Sequence, residues 1–124
     1  MIFLDKTKGL NRIEKVINSA LRTDPKTFEK LIKLGGKSVA IESTSPSLKV
    51  NILVTDNGIK LTRETFDDPS VRISGSLTSI IKTLTKKNAK SAIKETDIKI
   101  NGDFDTLKKI SNIAQSLEID WEGI

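Results

Sequence analysis

The period of the hydrophobic positions changes four times along the chain. Leu10, Ile13, Ile17, Ala20 and Leu21 recur at i, i+3, i+7, i+10 and i+11, with Arg12, Lys15 and Arg22 off the stripe, which predicts an amphipathic helix. Asp24-Pro25 then supplies a cap and a proline at the first helical position. Phe28, Leu31 and Ile32 form the apolar face of this second helix, and Gly35-Gly36 end it. Alternation takes over from there. Val39 and Ile41 alternate with Ser38, Ala40 and Glu42, and Leu48, Val50, Ile52 and Val54 alternate with Lys49 and Asn51. Thr55-Asp56-Asn57-Gly58 predicts a hairpin turn, because Asn-Gly readily takes positive φ. Ile59 and Leu61 carry the apolar face onward.

After a loop around Asp67-Asp68-Pro69, Val71 and Ile73 predict a fourth strand. Ser76 caps a helix with Leu77, Ile80, Ile81 and Leu84 on one face, and a lysine-rich linker at Lys86-Lys87-Asn88-Ala89-Lys90 follows. Ile98 and Ile100 form a fifth strand. Gly102-Asp103 turns into a last helix on which Phe104, Leu107, Ile110, Ile113, Ala114 and Leu117 share a face. No internal repeat or domain boundary interrupts this order. It predicts one α+β domain over residues 1–124: a five-stranded, mostly antiparallel sheet with amphipathic helices on one face. The alternation puts Lys49, Asn51, Lys60, Arg72 and Lys99 on the opposite face, toward water.

Composition narrows the chemistry. The chain has no His and no Cys. Nucleophile systems of the Ser-His or Cys-His kind are therefore excluded, as are disulfides and His or Cys metal ligands. No metal site, cofactor or catalytic residue is expected. Gly36-Lys37-Ser38 resembles the tail of a phosphate-binding loop, but Leu31 stands where the first glycine is needed. The expected strand and helix also flank it in reverse order. Asp67, Asp68, Asp103 and Asp105 are placed for turns and helix starts rather than for paired acid–base work.

The net charge of +5 comes from 21 Lys+Arg against 16 Asp+Glu, spread along the chain, with one cluster at Lys82, Lys86, Lys87, Lys90 and Lys94. Nucleic-acid binding is not expected, since single-strand readers stack bases on aromatic platforms and only four Phe and one Trp are present. The lysine cluster suits at most a peripheral contact with acidic lipid headgroups. No apolar run approaches the roughly 20 residues a membrane helix needs, and a cytoplasmic protein is expected.

The apolar stripes remain. Four amphipathic helices compete for one face of a short sheet, and periodicity is the same for a filled core and for a cavity lined by Ile and Leu. Both arrangements satisfy the pattern. In the second, the last two helices wall a lipid site with Ile80, Ile81 and Leu84 facing Leu107, Ile110, Ala114 and Leu117. Ile13 and Ile17 of the first helix complete it.

Several segments carry a resemblance. Val71-Arg72-Ile73-Ser74-Gly75-Ser76 and Asp97-Ile98-Lys99-Ile100-Asn101-Gly102-Asp103 each lead into a helix, and Leu117-Glu118-Ile119-Asp120-Trp121-Glu122 closes the pattern. Upstream, Leu21-Arg22-Thr23-Asp24-Pro25 and Gly36-Lys37-Ser38-Val39-Ala40-Ile41-Glu42 also fit. Over nearly its whole length the chain resembles the sterol carrier protein 2 family, and within it the accessory-factor branch of bacterial ubiquinone biosynthesis. The resemblance implies a sheet and helices enclosing an apolar tunnel for a hydrophobic lipid, either a prenylated quinone precursor or a fatty acid. It implies a non-catalytic accessory that presents prenylated intermediates to the ubiquinone-pathway enzymes. It also implies a small coiled-coil partner, reached through a C-terminal extension that this sequence, ending at Ile124, does not contain. A general fatty-acyl or sterol-type carrier, and an interaction scaffold with a filled core, are the alternatives. Lipid recovered with the purified protein separates the three.

Overall fold

Strand β1 (Ser38–Thr44) is the centre of the sheet in the computed structural model, which describes residues 2–66, 68–85 and 98–121, with side chains from Gly9 onward. On one side β1 pairs antiparallel with β2 (Ser47–Thr55), which pairs antiparallel with β3 (Gly58–Thr62). On the other it pairs parallel with β4 (Val71–Gly75), which pairs antiparallel with β5 (Lys99–Gly102). The sheet order is therefore β3-β2-β1-β4-β5. The expected lysine cluster lies outside the described residues except for Lys82, as do Asp67, Asp97 and Glu122.

Helices α1 (Ile2–Arg22), α2 (Pro25–Ile32), α3 (Leu77–Thr85) and α4 (Phe104–Ser116) contribute to one core with the strands. Val39, Val71 and Ile73 lie opposite one another across β1 and β4 or follow in alternation, and all three are fully buried. Such complete burial of short branched side chains is the main term holding the layers together, at about 25 cal/mol per Å² of apolar surface removed from water.

α2 and α4 start with the same device. Asp24 Oδ1 accepts from the Thr27 N–H at 3.2 Å and Asp24 Oδ2 from the Thr27 hydroxyl at 2.7 Å. Asp103 receives the corresponding pair from Thr106 at 3.2 and 2.7 Å. Each aspartate satisfies one orphan N–H of a helix start while also fixing a buried threonine. At α3, Ser76 Oγ accepts from the Ser79 N–H at 3.2 Å, as a cap there requires.

Two local expectations are refined. The β2–β3 loop consists of Asp56-Asn57, with Gly58 already paired to Thr55 and carrying the positive φ of 139°. Asn57 keeps negative φ, and its N–H donates to the Thr55 hydroxyl, which in turn donates to the Gly58 carbonyl oxygen. The outer face is also less open than alternation suggests. Lys49, Lys60 and Lys99 are exposed, and Arg72 is partly exposed beside Glu42, its Nε 3.2 Å from Oε2 without hydrogen-bond alignment. Asn51, by contrast, is only 4% exposed. The connection from β3 to β4 must pass β2 and β1, and it does so across this face. Asn51 Nδ2 donates to the Glu64 carbonyl oxygen at one end of the crossing, and Ser38 and Ser70 exchange N–H-to-hydroxyl bonds at 3.0 and 3.2 Å at the other.

Candidate apolar binding site

The sheet face toward the helices is not evenly covered. Its residues follow from the register: Leu61, Ile52, Val39 and Val71 lie in one row, and Val50, Ile41, Ile73 and Ile100 in the next. Val39, Val71 and Ile73 are sealed, whereas Ile41, Ile52 and Leu61 are only partly buried. These three form a strip that runs diagonally from the central strand to the β3 edge, past the buried Val50.

Helix placement explains the strip. α1 packs along β3, and α3 packs over β1 and β4. α2 anchors at the far end of β2, where the N–H of Gly36 donates to Val54 O and the Val54 N–H to Lys37 O, at 3.1 and 3.0 Å. Between α1 on β3 and α3 on β1 and β4, Ile52 of β2 is only partly buried, although Val50 beside it is buried.

α1 is fixed to the strand edge by polar side chains. Asn18 Nδ2 donates to Ile59 O at 3.0 Å, and Asn18 Oδ1 accepts from the Ile59 N–H at 2.9 Å. One turn earlier, Glu14 Oε1 accepts from the Leu61 N–H at 2.8 Å. Four helical residues advance about 6 Å and two strand residues about 6.6 Å, so the two contacts stay in step. Residues 59 and 61 are the ones whose backbone groups face away from β2.

The sequence-predicted residues divide into two groups. Ile80 and Leu84 of α3 are buried in the same core as Leu107 and Ile110 of α4 and Leu117 just beyond it, while Ile81 and Ala114 are partly buried. The two helices form one continuous layer, because Ser111 Oγ, itself buried, donates to Leu84 O at 2.8 Å and lies 3.3 Å from Thr83 O. Ile17, buried, and Ile13, partly buried, belong to α1 and stand across the strip from that layer. Ile41, Ile52 and Leu61 were expected only as sheet core. Nothing in an alternating pattern separates a strand position that is roofed by a helix from one that is not.

The lining is aliphatic and offers desolvation and dispersion rather than proton transfer. A linear apolar ligand suits it, each buried methylene contributing about 0.8 kcal/mol. Among the described residues no group of three acidic side chains gathers as a metal site requires, and no described helix is long and apolar enough to cross a membrane.

The sequence profile of the SCP-2 sterol transfer family matches residues 17–115. The chain belongs to that family. No curated protein sequence matches it significantly, but solved structures share the fold. A UbiJ-SCP2 ubiquinone synthesis protein superposes with a TM-score of 0.78 at 16% identity, covering 88% of this chain and 95% of its own. The sterol carrier protein domain 2 of Helicoverpa armigera reaches 0.59 at 20% identity, over 87% and 90% of the two chains. The sec-alkylsulfatase Pisa1 from Pseudomonas sp. reaches 0.62 at 12% identity, over 73% of this chain and 14% of that enzyme. The expected α+β architecture of SCP-2 members is thus the architecture found.

Proposed function

We propose that this SCP-2 member is a non-catalytic, cytoplasmic lipid-binding accessory factor for ubiquinone biosynthesis, which holds prenylated intermediates and presents them to the pathway enzymes. The observation that carries the reading is the aliphatic strip of Ile41, Ile52 and Leu61 left partly open between α1 and α3. Likeness to the UbiJ-SCP2 ubiquinone synthesis protein over 88% of the chain supports the pathway assignment. The prenyl chain lies along the strip, with Ile13 and Ile17 on its α1 side. On its other side stands the α3–α4 wall of Ile80, Ile81, Leu84, Leu107, Ile110, Ala114 and Leu117. A few isoprene units provide enough buried methylenes for micromolar binding without a polar anchor.

A second reading, a general fatty-acyl or sterol-type carrier, is favoured by the same lining, since none of its side chains would recognise a phenol ring. Mass spectrometry of lipid extracted from purified protein tests both. Prenylphenols support the first reading and fatty acids the second. A protein that carries no lipid and binds neither class when titrated is a scaffold, and both readings then fail.

A further inference from the structure

The attachment of α1 differs from that of the other helices in two ways. Its apolar stripe loses cover steadily toward the N-terminus: Leu21 is 1% exposed, Ile17 9%, and Ile13 and Leu10 are only partly buried. Along the same stretch it is held to the free edge of β3: Glu14, beside Ile13, accepts from the Leu61 N–H, and Asn18, beside Ile17, exchanges two hydrogen bonds with Ile59. The opposite end is locked. The Thr23 N–H and hydroxyl both donate to Ala20 O, the Asp24 N–H donates to Leu21 O, and Asp24 caps the next helix.

We infer that α1 is a hinged cover on the apolar strip, latched to the β3 edge by Glu14 and Asn18 and pivoting near Leu21–Asp24, and that a long-chain ligand enters when the latch opens. The ligand part of this inference rests on the lipid-binding reading; the latch itself does not. The groups released on opening are the N–H and C=O of an edge strand, which water can serve, so opening strands no buried polar atom. The side chains lifted away are Leu10 and Ile13, already partly wet, and Ile17, which leaves the core. The surface uncovered is Leu61 and then Ile52, the outer part of the strip. A glycine makes the latch possible: a Cβ on Gly58 would stand 2.3 Å from Asn18 Oδ1. The carboxamide therefore seats itself against the strand only because no side chain stands there.

Two measurements on the full chain test this. Amide hydrogen exchange without ligand should show Ile59, Leu61 and residues 10–16 opening together, well before the amides of β1 and β4. Glu14→Ala should speed that local opening about five- to tenfold, the equivalent of one hydrogen bond, while Glu14→Gln, which keeps the acceptor oxygen, stays near wild type. In stopped-flow binding of a dansyl-labelled undecanoic acid, Glu14→Ala should raise the association and dissociation rates by a similar factor and leave Kd nearly unchanged. Exchange of α1 and Leu61 only with the global unfolding of β1 and β4 would overturn the inference. So would a loosened α1 with unaltered binding rates. If wild type binds no probe at all, the lipid reading fails, and the latch is then decided by exchange alone, supported by separate opening of α1 and overturned by uniform exchange.

Discussion

Asn18 and Ile59 exchange two hydrogen bonds, at 3.0 and 2.9 Å, so that a helix side chain does for the edge of β3 what a neighbouring strand would do. The pairing depends on Gly58, whose φ of 139° and missing Cβ let the carboxamide sit against the backbone. Asn18→Ala exposes edge groups to water and should cost about 1 kcal/mol. Gly58→Ala adds backbone strain to the same lost contact and should cost about 2–3 kcal/mol. Because both variants break one contact, the double variant should lose less than the sum of the two in urea unfolding.

Ile52→Trp places bulk on the open strip. It should leave the unfolding midpoint nearly unchanged and weaken binding of a prenylphenol or fatty acid at least tenfold. Val39→Phe, next to it but fully buried, should instead cost about 1–3 kcal/mol through overpacking. Fluorescence titration beside thermal melts distinguishes these outcomes. Similar destabilisation by both variants would mean that the strip is as tightly packed as its neighbours.

Ala114→Phe examines the α3–α4 wall in the same way. Ala114 is partly buried on α4, one turn beyond the buried Ile110, and a phenyl ring there should reduce lipid binding with little change in Tm. Destabilisation with binding intact would remove this wall from the site and leave the strip alone.

Hydrogen bonds from the Thr106 hydroxyl, then from the Thr106 N–H, hold the Asp103 carboxyl below its ordinary pKa, with Lys37 adding to the effect. Asp24 is lowered in the same way by Thr27. A depressed folded-state pKa means that the unfolded chain takes up the proton more readily. The contribution of each cap is therefore complete above the unfolded-state pKa and is lost as pH falls through the folded-state value. Thr106→Val should move the Asp103 titration midpoint upward, as followed by carboxyl NMR shifts. A midpoint that stays in place would show that the hydroxyl does not set the acidity.

Much of this fold is legible in the sequence because period and punctuation agree. Leu10 to Leu21 can only be a helix, Val50 to Val54 only a strand, and Asp24-Pro25, Ser76 and Asp103 each mark a start that the structure uses. The threonine half of the two aspartate caps was not legible, since Thr27 and Thr106 look like ordinary helix positions until their hydroxyls are placed. Asn51 reads as a wet residue because alternation reports which face a side chain is on and not what crosses that face. The strip had no signal for a related reason: coverage depends on where each helix settles, and α1 settles on an edge strand through Glu14 and Asn18, two residues that read as part of the polar face.

The parallel pairing of β1 with β4 joins residues 32 positions apart in sequence, as between Ser38 and Ser70. β1, β2 and β3 are instead consecutive, joined by two tight turns, and they form without closing any long loop. The strip of Ile41, Ile52 and Leu61 lies wholly on that local unit, whereas the walls proposed for the ligand lie on helices outside it. Low contact order favours early pairing of the meander, so on the proposed reading the floor of the site belongs to the part of the sheet that needs no long loop closed, and its walls do not.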